Sequence, residues 1–182
     1  IPSRVAKGLC GNFRPGHFRG VIRIVALFFR LIRPKRAYFG QKDYQQFRVI
    51  EEMTRKYFHD KIELHLLPTV RSKRGLALSS RNTYLKSAER QKATGLFESL
   101  QKGRSLMKNG QFSPREVKRE IRQTLRRRGF DPIDYVVIVD SHSLRNVVKL
   151  RSDDLKSLMI AGAAWMNKVR FIDNIIMNRK LS

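Results

Sequence analysis

Gly40, Gln41, Lys42 and Asp43 stand together in "FGQKDYQQF", residues 39–47, where an apolar run gives way to helix-like text. Lys42 supplies a mobile positive charge suited to phosphate. Asp43 can accept from sugar hydroxyls, and it also suits an N-cap. Gly40 lets a ligand come close to the backbone, and the first turn of the following helix offers free N–H groups to an anion. The same residues also suit a plain turn before a capped helix. A second cluster, "GLALSSRN" at 75–82, combines a glycine, two hydroxyls and a guanidinium. Ser79, Ser80 and Arg81 can all bond phosphate oxygens. A mobile loop of this kind that closes on a triphosphate is one way to hold the charge of phosphoryl or adenylyl transfer. Such a triplet alone also arises by chance. His17, His59, His65 and His142 lie singly, without metal-ligand spacing. His17, between glycine and phenylalanine, reads as a positioning hydrogen-bonder.

These clusters need elements to hold them. Residues 1–16, with Gly8, Gly11, Pro15 and Gly16, read as a loop. Val21, Ile24, Val25, Phe28 and Ile32 recur at helical spacing over 18–32, and Pro34 ends that helix. "AYF" reads as a short buried strand stopped by Gly40. Asp43 with Gln46 reads as a capping box for a helix carrying Phe47, Ile50, Met53 and Tyr57. "IELHLLP" is the next strand. This alternation argues a parallel α/β sheet. After Pro68 comes a basic, Ser-rich loop, and helices then dominate. One starts at Ser87 and carries Ala93, Leu96, Phe97 and Leu100. Another starts at Ser113, with Pro114 at its first position and Glu116 completing a capping box; Gly129 ends it. "DYVVIVD" and "LMIAGAAWM" read as strands and "VRFIDNIIM" as a third. A domain boundary is expected near residue 70.

Composition bounds the function. Of 182 residues, 41% are hydrophobic, which suits a folded chain. The single cysteine, Cys10, excludes an intrachain disulfide and fits a reducing cytoplasm. "VIRIVALFFRLI" holds Arg23 and Arg30 and is too short to span a bilayer. The formal net charge is +24; residues 1–70 hold 14 basic and 5 acidic side chains, and residues 71–182 hold 25 and 10. Such a surface attracts polyanions without a dedicated site. A specific nucleic-acid binder would need aromatics interleaved with the basic residues on one face, and that pattern is not visible.

Five segments, "GLCGNFRPGHFRGV" (8–21), "RAYFGQKDYQQ" (36–46), "LPTVRSKRGLALSSRNTYL" (67–85), "DPIDYVVIVD" (131–140) and "RFIDNI" (170–175), stand in an order that resembles the pantothenate synthetase (pantoate–β-alanine ligase) family. The resemblance implies an α/β fold. Residues 1–70 would be the second part of a Rossmann-like nucleotidyltransferase (adenylate-forming) domain that binds ATP and pantoate. Residues 71–182 would be a smaller α+β C-terminal lid. The implied reaction joins pantoate and β-alanine through pantoyl adenylate, releasing pyrophosphate and AMP, on the way to coenzyme A.

Residue by residue, Gly40 and Asp43 fall where the family holds the ribose of ATP, with Gln41 beside them. Lys42 falls on its phosphate-binding lysine and Gln46 on the glutamine that binds pantoate. Val70 falls at the adenine contact. Leu78, Ser79, Ser80 and Arg81 fall on the counterpart of the KMSKS loop, with Lys42 and Arg81 the expected catalytic cations. Arg14 and His17 match the Arg and His of "RPGHF" near pantoate, and Ile24 and Val25 match apolar pocket positions. Mg2+ is implied alongside ATP, with ligands expected outside these residues, so no metal ligand is assigned. The family resemblance also implies a cytoplasmic homodimer without specific nucleic-acid or membrane partners.

Departures from the family pattern stand beside the match. Gln41 replaces a usual glutamate, Lys35 stands where aspartate is common, and the chain is unusually basic. An H-x-G-H type loop and the acidic pair after it are absent. Because the sequence opens on Ile1, they are expected in a preceding stretch on the order of a hundred residues. The chain is therefore expected to be a fragment or truncated form, doubtful as a catalyst alone. The alternative is a non-catalytic remnant with a basic, polyanion-binding surface.

Overall fold

The computed structural model describes residues 4–110, 113–149 and 152–177. The chain divides into two compact units, Ile1–Pro68 and Thr69–Ser182. The fold is α/β: a parallel strand pair with helices in the first unit and a separate antiparallel sheet with helices in the second.

In the first unit, α1 (Cys10–Phe13) and α2 (His17–Ile32) precede β1 (Arg36–Gly40). A 3-10 turn (Gln41–Asp43), α3 (Tyr44–Phe58) and β2 (Glu63–Leu67) follow. β1 and β2 pair in parallel, from Arg36 opposite Glu63 to Gly40 opposite Leu67, so both strands end together. Phe18, Ile22 and Phe29 of α2 are buried, as are Phe47, Val49, Ile50 and Met53 of α3. Phe29 meets Phe58 edge-on, with ring centroids 5.6 Å apart.

Three expectations are corrected here. The buried face of α2 is not the stripe Val21, Ile24, Val25, Phe28 and Ile32. Ile24, Leu27, Phe28, Leu31 and Ile32 are each more than half exposed. Arg19, Arg23 and Arg30 share one narrow side and the rest of the helix is apolar, so periodicity alone could not choose which part of that wide face is buried. Residues 1–16 are not wholly loop, since a 3-10 turn (Arg4–Ala6) and α1 lie there. Buried Gln45 holds that segment, donating to the carbonyls of Val5 and Gly8 and accepting from the Cys10 N–H at 2.9 Å. Finally, Asp43 precedes α3 but its side chain makes no capping hydrogen bond. The Gln41–Asp43 turn runs directly into α3, and Asp43 lies exposed.

In the second unit, α4 (Ser87–Ala93), α5 (Gly95–Lys108) and α6 (Pro114–Arg127) lead to β3 (Ile133–Asp140), β4 (Leu158–Met166) and β5 (Val169–Ile176). The sheet order is β3-β4-β5, antiparallel throughout. One contiguous core joins Leu96, Leu100 and Met107 of α5, Val117, Ile121 and Leu125 of α6, and Ile138, Ile160 and Ile175 of the strands. The single helix expected from Ser87 is in fact two. Thr94 turns its hydroxyl back to the Gln91 carbonyl at 2.8 Å, and Gly95 follows. Back-bonding threonine and glycine both weaken helix continuity. At α6 the capping box forms as expected: the Ser113 N–H donates to Glu116 Oε2 at 2.8 Å, and Ser113 Oγ accepts from the Glu116 N–H at 3.3 Å. Gly129, with φ +83°, ends the helix.

Candidate active site

Ligands of open parallel sheets bind beyond the carboxyl ends of the strands, and the Gly40–Asp43 turn lies there. Gly40 has φ −77° and ψ 137°, ordinary for any residue. A Cβ placed on it would meet no atom within 4 Å. Neither backbone strain nor internal packing asks for glycine at this exposed point. Gln41 is buried, Lys42 half-buried and Asp43 exposed on the same short turn. Gln46, half-buried on the first turn of α3, makes no side-chain hydrogen bond among the described residues. Its neighbour Gln45 points inward and ties residues 5–10 to this helix start.

The stretch so anchored leads into Arg14 and His17. Arg14 Nη1 lies 2.9 Å from His17 Nε2. A guanidinium can only donate, so Nε2 is the acceptor in this contact. His17 opens α2 and its ring lies 5.0 Å from that of Phe18. Further along α2, Ile24 lines a cavity of about 520 Å3 with Leu27 and Tyr57, while Val25 is half-buried.

The second unit carries the other cluster on a tight excursion from Val70 to Leu78. The Leu78 N–H donates to the Val70 carbonyl at 2.9 Å, which sets these two exposed apolar side chains beside one another on the chain. Ser72 and Leu76 close the inner rung, also at 2.9 Å. Gly75 makes the bend at φ +89°, and a Cβ there would come within 2.9 Å of Phe97. Ser79 caps the 3-10 turn Ser80–Tyr84, accepting from the Arg81 N–H at 3.3 Å. Asn82 holds the turn back on the Ala77 carbonyl. Ser80 and Arg81 are exposed, and the Arg81 guanidinium makes no ion pair or hydrogen bond among the described residues.

Sequence reasoning missed what fixes this loop. Arg71 donates to both carboxylate oxygens of Asp173, at 2.6 and 2.9 Å, and to the Gly75 carbonyl at 3.1 Å. Its guanidinium lies 3.5 Å over the Phe97 ring. The pair is almost wholly buried, with side-chain exposures of 8% and 3%. Both residues sit in segments that carry the family resemblance, but nothing local links positions so far apart. Among the described residues, no group of three or more His, Cys, Asp or Glu could hold a metal ion.

The pantoate–β-alanine ligase family model matches residues 1–176. This chain belongs to that family. Pantothenate synthetase from Thermotoga petrophila is 44% identical over 175 residues, covering 96% of this chain and 61% of that protein. The Thermosipho melanesiensis enzyme is 45% identical over 173 residues, covering 95% and 60%. Among solved structures, pantothenate synthetase from Thermus thermophilus matches with a TM-score of 0.89 at 36% identity, covering 98% of this chain and 63% of that one. Pantoate–β-alanine ligase from Francisella tularensis, complexed with β,γ-ATP and β-alanine, matches with a TM-score of 0.69 at 29% identity, covering 59% of its own chain. The chain thus spans about three fifths of the length of the family members it matches.

Proposed function

We propose that this chain forms part of an ATP-dependent ligase that joins pantoate to β-alanine through a pantoyl-adenylate intermediate. The observation that carries the reading is Gly40. It sits at the carboxyl end of a parallel strand pair, where glycine is needed by nothing inside the protein, and Lys42 and Asp43 follow at once. A nucleotide lying against that backbone accounts for it. Asp43 then accepts from ribose hydroxyls with the side chain it does not spend on capping, and Lys42 meets the phosphates. Ser80 and Arg81 present an uncommitted hydroxyl and cation suited to phosphate oxygens. Gln46, with Arg14 and His17, would hold pantoate, with Ile24 and Val25 as the apolar positions that the family resemblance assigns to it; Val70 and Leu78 offer an apolar contact to adenine.

The chemistry follows from those assignments. A pantoate carboxylate oxygen attacks the α-phosphorus, the bond to the bridging oxygen breaks, and pyrophosphate leaves with the electron pair. The β-alanine amine then attacks the acyl carbon, AMP departs, and the amine loses its proton. Mg2+, which would offset phosphate charge when bound, finds no ligand cluster among the described residues, and no step here is assigned to it. The units Ile1–Pro68 and Thr69–Ser182 would act as nucleotide-binding domain and lid, in a cytoplasmic homodimer as the family resemblance implies. No described helix is long and apolar enough to cross a membrane.

The test is made on the full-length gene product that carries this sequence. With ATP and magnesium present, pyrophosphate release should require pantoate, and AMP release should require β-alanine as well. Absence of pantoate-dependent pyrophosphate release from folded protein would favour the remnant reading instead.

A further inference from the structure

Helix α6 carries a row of arginines that the proposed ligase reaction does not use. Arg115, Arg119, Arg122 and Arg126 follow at spacings of four, three and four residues, which places them on one helical face. At about 1.5 Å rise per residue the row is about 16 Å long, with a guanidinium every 4.5–6 Å or so. Arg115, Arg119 and Arg126 are exposed and Arg122 half-exposed. None of the four closes an ion pair or donates a side-chain hydrogen bond among the described residues.

The charge of this face is not neutralised from within. The only acidic residues of α6 are Glu116 and Glu120. Glu116 is taken by Ser113 at the helix start, and Glu120 by Lys102 of α5 at 2.9 Å. Arg119 lies near enough to help hold both carboxyls low, but Ser113 and Lys102 dominate those shifts. Partial burial, and after it the charge of Arg126, pushes the Arg122 guanidinium down from its ordinary value. Four like charges therefore crowd one face, and such crowding destabilises a helix unless an anion relieves it.

We propose that this arginine row binds the phosphodiester backbone of nucleic acid without reading its sequence. Guanidinium forks match phosphate oxygens, and a row rather than a cup suits a linear polyanion. No aromatic residue lies in α6, so bases have nothing there to stack on and the contact is with backbone alone. A membrane surface fits less well. Val117, Ile121 and Leu125 are fully buried in the core, which leaves α6 no apolar face to enter a bilayer.

The experiment measures anisotropy of fluorescein-labelled oligo-U and oligo-dT, about 16 nucleotides long, with the full-length protein over a salt series. Both oligonucleotides should bind equally, with log affinity falling linearly against log salt. Replacing Arg115, Arg119, Arg122 and Arg126 together by glutamine should flatten that slope by about 2.8, from about 0.7 per phosphate contact. At moderate salt affinity should fall at least about tenfold, while ligase turnover is unchanged. A control that neutralises Arg33, Arg55, Lys56 and Lys61 removes the same charge elsewhere, and should lower affinity by less than about threefold. If the fourfold variant misfolds by circular dichroism, Arg119→Gln/Arg126→Gln should flatten the slope by about half as much. Equal losses in row and control variants, a strong preference for one oligonucleotide, or no binding by the parent protein would each overturn the proposal. Tighter binding to anionic vesicles than to oligonucleotides would do so too.

Discussion

Lys42 and Arg81 are proposed to act where charge develops, and that sets what their loss should do. When pantoate attacks the α-phosphorus, negative charge gathers on the departing pyrophosphate. A fixed cation aimed there is typically worth about 3 kcal/mol. Lys42→Ala and Arg81→Ala should each slow adenylate formation about a hundredfold in the full-length protein. Both should barely affect attack of β-alanine on preformed adenylate, because pyrophosphate has by then gone. Single-turnover assays of the two half-reactions separate these outcomes; a Lys42 variant impaired only in amide formation would remove the phosphate role from the turn. Gln46→Ala should instead raise the pantoate requirement, since its amide holds substrate in ground and transition states alike. Buried Arg71 invites a different measurement. Asp173→Ala leaves its guanidinium without a counter-charge, which should cost about 3–5 kcal/mol in urea unfolding. Glu63→Ala, breaking the exposed Arg36–Glu63 pair, should leave the urea midpoint almost unmoved.

Among the elements, α5 and α6 meet at Gly103. A Cβ there would lie 2.5 Å from Ile121 Cδ1 and 2.9 Å from its Cγ1, and Ile121 is fully buried. Alanine gains about 1 kcal/mol of helix propensity over glycine, but overpacking a filled core costs about 1–3 kcal/mol. Gly103→Ala should therefore come out destabilising by a net margin of about 1 kcal/mol in thermal or urea unfolding; a more stable variant would mean that Ile121 has room to yield. At its N-terminus α6 is tuned by pH. The Ser113 hydroxyl, then the Ser113 N–H, hold the Glu116 carboxyl below the usual glutamate range. A depressed folded-state value stabilises above the unfolded one and is lost as pH falls through the folded one. Ser113→Ala should thus lower stability near neutral pH, with the difference from the parent shrinking below the ordinary glutamate range. Protection of the first-turn amides against hydrogen exchange would report it.

Taken whole, the molecule should come apart unevenly. The contiguous core from Leu76 to Met177 lies entirely within the second unit. Expressed alone, residues 69–182 should unfold cooperatively, with near-UV dichroism lost in one step. Residues 1–68 alone should not, because a lone two-stranded sheet is marginal and α2 leaves Leu31 and Ile32 about two-thirds exposed. A sharp cooperative transition from the shorter piece would contradict this. The same contrast explains what could be read in advance. Strong local signals were legible: the β1–α3–β2 alternation, the Ser113 capping box, and three strands of apolar text. The turn at Gly40–Asp43 was legible by type and place. The buried side of α2 was not, because Arg19, Arg23 and Arg30 mark only one narrow stripe and the apolar face left over is far wider than the part that Phe18, Ile22 and Phe29 bury. Neither was the capping failure of Asp43, which depends on how the 3-10 turn enters the helix, nor the break at Thr94, where two weak disruptors coincide. The Arg71–Asp173 tie was out of reach because periodicity and spacing describe neighbours along the chain only.

That tie joins residues 102 positions apart. A ribosome adding about 5–20 residues each second releases Arg71 some 5–20 s, in order of magnitude, before its carboxylate partner exists. Through that interval the excursion that carries Ser79, Ser80 and Arg81 lacks its anchor, however early its own turns form. Asp173 lies on β5, the last strand of the sheet to be synthesised. The nascent chain thus receives the anchor of its proposed phosphate-gripping loop late, long after the loop itself has been made.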